Sequence, residues 1–264
     1  MKRAAMAVGG LLALFILAFY LQRSGLSGQK TETAAGVDQV VWDVKNAEKG
    51  KEAKVSFIMQ NERGEAFRGL GDTARGAVRA VIVPPSLAEY EEVRPASSGA
   101  GTFSFSYTFK QTGEYAVFAY VKNKDGHEAV SRTSVKIGTD KKETKAKLAP
   151  SPLLSMKVGP YEASLVFPAL RPGQPSDIVF QFTPQNRKEL SFQSASGQVS
   201  SLLLLDENRK HLLYAEPVRD EKGKELVFSV TFPEEGMYKM WASLYVDGKP
   251  YEKTFVLHVA KPKS

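Results

Sequence analysis

The sequence predicts an all-β chain: two antiparallel β-sandwiches in tandem behind an N-terminal transmembrane helix. Three observations carry this reading. One hairpin pattern occurs twice. Thr102-Phe103-Ser104-Phe105-Ser106-Tyr107-Thr108-Phe109 leads into Gly113-Glu114-Tyr115-Ala116-Val117-Phe118-Ala119. Glu225-Leu226-Val227-Phe228-Ser229-Val230-Thr231-Phe232 leads into Gly236-Met237-Tyr238-Lys239-Met240-Trp241-Ala242. In both copies Thr-Phe is followed by three residues, Gly, one residue and Tyr. Short β-forming stretches also recur at regular spacing, with no convincing soluble helix between them. Finally, Lys2 and Arg3 precede an uncharged apolar run from Ala4 to Leu21.

That run makes residues 1–23 a membrane anchor or a signal. Its 18 residues would rise about 27 Å as a helix, close to the thickness of a bilayer core. The basic flank favours a cytoplasmic N-terminus, with everything after the run outside. A cleaved signal peptide is the alternative, but its apolar region is usually shorter. Only Gly25-Leu26-Ser27 offers small residues at the right spacing for cleavage, so an uncleaved anchor is favoured. Residues 24–36 are rich in Ser, Gly, Thr and Gln and read as a flexible spacer.

The first sandwich is expected over 37–138. Val37 to Val44 is a first strand, and Asn46 to Lys51 a polar turn. Ala53 to Gln60 follows, with Val55, Phe57 and Met59 on one face by period two. Asn61-Glu62-Arg63-Gly64 turns the chain, and Phe67 to Gly76 is Gly-rich and irregular. Val78 to Val83 is an apolar strand stopped by Pro84-Pro85, and Tyr90 to Val93 a short one before Pro95. The first hairpin comes next, and Arg132 to Ile137 closes the domain. Residues 139–152 are polar, Lys-rich and then Pro-punctuated, which reads as a linker.

The second sandwich, 153–264, repeats the order. Tyr161 to Phe167 and Ile178 to Phe182 are strands, Glu189 to Gly197 replaces the irregular loop, and Leu202 to Leu205 is the apolar strand. After the second hairpin, Val246-Asp247-Gly248-Lys249 makes a turn and Lys253 to Val259 the last strand. Period two puts Tyr115, Val117, Ala119 and Val121 on one core face, and Tyr238, Met240, Ala242 and Leu244 on the other. A Gly-x-Tyr strand start resembles the tyrosine corner of immunoglobulin-like sandwiches, where the hydroxyl ties down a neighbouring turn. A plain buried Tyr is the competing reading.

Composition narrows the function. The 264 residues contain no cysteine, which excludes disulfides, thiolate metal sites, a cysteine nucleophile and a lipidated cysteine. The net charge of +7 is scattered and concentrated toward the linker and C-terminus. No basic stripe is interleaved with aromatics, so nucleic acid is not an expected partner. For a cell-membrane protein with extracytoplasmic domains, an anionic membrane surface or cell-wall polymer is the more natural use of this charge, and ordinary solubility is the competing reading; the partner expected is an envelope protein or an anionic polymer. No phosphate loop, Gly-x-Ser-x-Gly or metalloprotease motif is present, so no enzyme activity and no cofactor are expected.

The Gly-x-Tyr after a Thr-Phe strand, preceded by an apolar strand and a Pro, resembles the YtkA-like family over both halves, from about Val37 to Val259. These are bacterial extracytoplasmic sandwiches related to FixH-like domains. The resemblance implies the fold and the cell-envelope location. Many relatives carry His-x-His before the Pro and another His ahead of the apolar strand, and are regarded as candidate metal or copper binders. This chain departs from that pattern twice. Arg79, Glu92 and Arg94 stand at those places in the first copy, and Ser201, Tyr214 and Glu216 in the second. Each trio is expected at one end of a strand pair. The first would hold an anion between two guanidiniums, or be a plain surface replacement.

The remaining metal candidates are weak. His127, His211 and His258 share no ligand spacing. Met237 and Met240 are soft ligands suited to Cu(I), but i and i+3 on a strand face opposite ways. The expected function is a membrane-anchored, extracytoplasmic, non-catalytic binding protein, with copper handling in the cell envelope as the alternative. A reporter fused after Ser264 is expected to be active only if its chemistry works outside the cytoplasm. Activity of a cytoplasm-only reporter there contradicts this topology.

Overall fold

The computed structural model describes residues 29–30, 37–67, 78–99, 101–122, 127–138, 147–183, 189–194, 197–220 and 224–261. The expected anchor over 1–23, most of the spacer over 24–36, and the linker over 139–146 lie outside the described residues. Among the described residues no helix is long and apolar enough to cross a membrane. The chain divides into two compact units, 1–145 and 146–264.

The first unit holds β1 (Gln29–Lys30), β2 (Gln39–Lys45), β3 (Glu52–Gln60), β4 (Val78–Val83), β5 (Glu91–Val93), β6 (Ala96–Gly99), β7 (Thr102–Thr108), β8 (Gly113–Lys122) and β9 (Glu128–Ile137). One sheet runs β1-β2-β3-β7-β6 and the other β5-β4-β8-β9. The second unit holds β10 (Ser155–Val158), β11 (Tyr161–Val166), β12 (Pro175–Thr183), β13 (Ser201–Asp206), β14 (Leu212–Ala215), β15 (Pro217–Asp220), β16 (Glu225–Thr231), β17 (Gly236–Val246) and β18 (Lys249–Val259). Its sheets run β10-β11-β12-β16-β15 and β14-β13-β17-β18, the same order. All strand pairs are antiparallel. With β1 and β10 set aside, this is the A-B-E-D sheet of an immunoglobulin-like sandwich against a C-F-G sheet extended by one strand.

Alternation builds both cores. Val55, Phe57 and Met59 of β3 meet Tyr115, Val117, Ala119 and Val121 of β8 in one buried cluster. Phe180 and Phe228 meet Tyr238, Met240, Ala242 and Leu244 in the other. Trp42 sends its Nε1–H across the first sandwich to Ser131 Oγ at 3.3 Å. The alternation reading is incomplete for β8, which is buried from Tyr115 through Val121. Phe118 and Tyr120, on the outer side, are as sheltered as the core face. In the second unit Trp241 holds the matching outer position, with Lys239 Nζ 5.1 Å from its ring centre. Lys239 faces away from the core, and burial lowers its ammonium below the ordinary lysine range.

Both Gly-x-Tyr starts are tyrosine corners. The Gln111 amide donates to the Tyr115 hydroxyl at 2.9 Å. The Tyr238 hydroxyl donates to the Glu234 carbonyl at 3.0 Å. The spacing is four residues each time. Gly113 and Gly236 have φ of 119° and 134°. A side chain there is strained, and at Gly113 a Cβ would lie 2.6 Å from Pro85 Cγ. The turn thus needs Gly, and the ring two residues later is placed to lock it.

The sequence reading missed several short strands. β6, β10, β14 and β15 each have four residues, too few for a clear alternation. Gln29–Lys30 pairs with Val40 and Gln39, so the expected spacer contains a sheet segment. The closing strand of the first unit starts at Glu128 and that of the second at Lys249. Asp247 and Gly248, at φ 49° and 78°, form a two-residue turn of the kind that matches strand twist. Ser151 is tied to β18: its amide donates to the Val256 carbonyl at 3.0 Å, and its Oγ accepts from the Val256 amide at 2.8 Å. Edge strands β6 and β15 are bulged, and Pro95 and Pro217 sit at their starts. Such features discourage pairing with another chain.

Burial pushes the Tyr238 hydroxyl up from 10.0 to about 12. A raised folded value means that its contribution is complete below the unfolded value and lost as pH rises from 10 toward about 12. Alkaline denaturation is therefore expected to show a loss in that window that Tyr238→Phe removes. At neutral pH, Tyr238→Phe should cost about 1 kcal/mol and Tyr238→Ala about 3–5 kcal/mol. Chemical denaturation measures both.

Candidate functional site

The two trios occupy matching corners. In the first unit Val81 pairs with Glu92 and Ala80 with Val93. In the second, Leu203 pairs with Tyr214 and Leu202 with Ala215. Residues two apart share a face, so Arg79, Val81 and Glu92 lie on one side of their sheet, as do Ser201, Leu203 and Tyr214, while Arg94 and Glu216 follow one residue past the ends of β5 and β14. On the neighbouring strands, Val81 also pairs with Phe118 and Leu203 with Trp241. Both corners therefore adjoin an aromatic residue on the outer face of the sheet.

Their chemistry differs. Arg79 Nη1 lies 3.6 Å from Glu92 Oε1, with both side chains mostly covered. The guanidinium is thus partnered by a carboxylate, while its stem lies along the Val81–Phe118–Tyr120 side of the sheet. A second pair, Arg132 Nη2 to Glu114 Oε1 at 3.6 Å, flanks Phe118 from β9. Arg94 is exposed one residue past β5. Two of the first trio therefore meet, and the expected pair of guanidiniums around one carboxylate is not formed. In the second corner Ser201 pairs with Ser243, and Tyr214 and Glu216 line the C-terminal end of β14. That corner carries one carboxylate and hard oxygen groups, a poor set for Cu(I).

Among the described residues no three His, Asp or Glu side chains come together as a metal site. His127 and His258 are exposed. His211 Nε2 lies 3.5 Å from Glu234 Oε2. Met240 is in the core, whereas Met237 stands opposite His258 on the outer face. That pair supplies two soft or borderline donors, short of the three or four that closed sites use.

One built feature escaped the sequence reading. Asp247 joins three parts of the second unit at one end. Its Oδ1 accepts from the Ser191 amide at 3.2 Å and its Oδ2 from the Tyr161 hydroxyl at 3.1 Å. Its amide donates to the Ser191 carbonyl at 2.8 Å. The segment read as irregular is held by bridges Gln193–Val199 and Ser194–Gly248. Tyr245 adds a hydroxyl bond to Gln198 Oε1 at 2.8 Å and an amide bond to Ser200 Oγ at 2.9 Å. The only sequence signal for this knot was the Asp-Gly turn itself.

A family model described as a domain of unknown function, DUF8832, matches residues 156–261, the span of the second sandwich. No curated protein matches the chain. Several solved structures resemble it loosely. The FN1–FN3 domains of chicken CNTN1 are 11% identical, with 89% of this chain and 70% of that one covered and a TM-score of 0.25. A DUF4785 family protein from Legionella pneumophila is 13% identical over 84% of this chain and 56% of that one, with a TM-score of 0.29. Invasin, described as a bacterial integrin-binding protein, is 12% identical over 84% of this chain and 39% of that one, with a TM-score of 0.25. None of these likenesses bears on what this chain binds.

The Arg79–Glu92 pair is expected to be a local surface contact. A double-mutant cycle with Arg79→Ala and Glu92→Ala should give a coupling below about 1 kcal/mol that shrinks in high salt. A coupling above about 3 kcal/mol would instead mark a buried, structurally required pair.

Proposed function

We propose that this chain is a membrane-anchored, extracytoplasmic, non-catalytic interaction protein built from two immunoglobulin-like sandwiches. The observation that carries this reading is the pair of matched corners. The strand registers superpose Arg79 on Ser201 and Glu92 on Tyr214. Neither corner offers the nitrogen or sulfur donors that copper chemistry requires. In the first corner the one carboxylate faces Arg79, which favours its pairing there over a cation. The resemblance to YtkA-like sandwiches and the basic flank of the apolar run support the extracytoplasmic placement. With the corners spent on local contacts, the work of the molecule falls to its loops and sheet surfaces, as it does in binding modules on rigid scaffolds.

The copper-handling alternative rests on the Met237–His258 cross-strand pair. Calorimetric titration of the purified full chain with Cu(I) and with Cu(II) separates the readings. No stoichiometric binding tighter than about 1 µM is expected. A stoichiometric complex of higher affinity that disappears in Tyr214→Phe, Glu216→Ala or His258→Ala would replace the interaction reading with metal handling.

A further inference from the structure

We infer that two copies of this chain pair face to face through the outer surface of the β10-β11-β12-β16-β15 sheet. The pairing is additional to the interaction function proposed above and does not rest on it. Hydrophobic exposure singles out this sheet. Among the described residues the exposed large hydrophobics are Leu153, Leu154, Val166, Val199 and Val218, all in the second unit. All but Val199 belong to this sheet or lead into it. Leu153 and Leu154 run into β10, and the Leu165 amide already donates to the Leu154 carbonyl at 2.6 Å. Val166 ends β11, and Val218 lies at the bulge of β15.

Strand register turns this exposure into a stripe. Val166 pairs with Val179, and Val179 with Val227. Ser155 pairs with Ser164, so the register continued two residues back sets Leu153 opposite Val166. The four form one row across four strands, while their chain neighbours Leu165, Ile178, Phe180, Leu226 and Phe228 face the core. Leu153 is 74% and Val166 43% exposed, Val179 is half-buried, and Val227 is already covered. At the same distances before the corner tyrosine, the first unit carries Asp43, Ser56 and Ser104, paired in the same order. There the row is polar: Ser56 Oγ donates to the Asp43 carbonyl at 3.4 Å, and the Asp43 carboxylate pairs with Lys45. The same sheet therefore folds without an aliphatic row, so folding does not account for the row in the second unit.

A second copy suits this face. Five strands about 4.8 Å apart and about 20 Å long present about 500 Å², so two copies cover about 1,000 Å², the lower bound of a specific interface. Packed sheets keep their strands nearly aligned. An aliphatic row then lies on its own image, the self-complementary arrangement of a two-fold dimer. The charges lie outside the row and carry both signs. Lys157 on β10 and Glu225 at the start of β16 stand at opposite ends of one flank, and Gln181 Nε2 holds Glu225 Oε1 there at 2.9 Å. Glu162 is opposite Lys157, Asp177 lies on the other flank, and Arg219 follows Val227 at the far end. A two-fold axis parallel to the strands lays the β10 side of one copy over the β16 side of the other. Each Lys157 is thereby brought toward the partner's Glu225. The bulge of β15 opposes pairing along that edge but leaves the face open.

The chain has no cysteine, so one introduced thiol tests the face in the full chain, in the cells that make it. Val166→Cys is treated with a short bismaleimide. Asp43→Cys, at the matching place in the first unit and comparably exposed, is the control. Val166→Cys is expected to give a product of twice the chain mass, and Asp43→Cys at least about tenfold less of it. Adding Leu153→Glu puts a carboxylate into the row and should cut the Val166→Cys product about tenfold. Because Leu153 is so exposed, that change should leave the melting temperature where it was. Equal products from both positions, no doubled mass from Val166→Cys, or a product that Leu153→Glu leaves intact overturns the dimer. An adduct of another mass from Val166→Cys means that a different protein takes this face, and overturns it too. None of these outcomes contradicts the function proposed above, which the copper titration tests separately.

Discussion

A buried tyrosine, its ring in the core and its hydroxyl bonded to the turn four residues before it, anchors the central strand of each sandwich. Tyr115 and Tyr238 are among the largest fully buried side chains described, and both rings pack edge-on against a phenylalanine, Phe109 and Phe232. Burying a phenol requires a partner for its oxygen. The turn supplies one, and in return its geometry is fixed. The strand that starts there is the hub of its sheet: β8 pairs with β4 and β9, and β17 with β13 and β18. Fixing where that strand begins fixes the register of its neighbours, because a slip by one residue would turn the core face outward.

This dependence explains what the sequence made legible. Gly, one residue and Tyr at a constant distance from Thr-Phe is a local pattern, so both corners could be read without knowing any long-range contact. The core faces of β8 and β17 follow from the same starting point. What stayed hidden was non-local. Tyr161 and Asp247 are 86 residues apart, and Ser191 and Asp247 are 56 apart, so no window along the chain contains either pair. Ser151 looked like linker because a Pro-rich polar run has no period, yet its bonds to Val256 reach across 105 residues. Phe118 and Tyr120 broke the alternation rule because β8 is sheltered on both faces. In the candidate corners the alignment of the trios was readable, but the fate of Arg94 was not: it depends on where β5 ends.

The two copies share their sheet order and differ in what they carry. In the first, acid–base pairs occupy the outer face of the β4–β8 sheet. In the second, the same face carries Leu203, Trp241 and Lys239, and the loop end is tied together by the Asp247 carboxylate. Two units with separate cores allow this. The core and corner are retained in both, while surface positions diverge at little cost to stability.

Amide hydrogen exchange at Gln111 and Glu234 tests the role of the corners most directly. Both residues lie in turns outside the strand ladders, and both amides point at the tyrosine oxygen, at 2.9 Å and 3.4 Å. In the full chain both are predicted to exchange at least about tenfold more slowly than in Tyr115→Phe and Tyr238→Phe respectively, the factor expected for losing one hydrogen bond. Each substitution should change exchange in its own sandwich only. Fast exchange at these amides in the unaltered chain, or unchanged rates in the phenylalanine variants, would contradict the claim that the tyrosine hydroxyl fixes the turn.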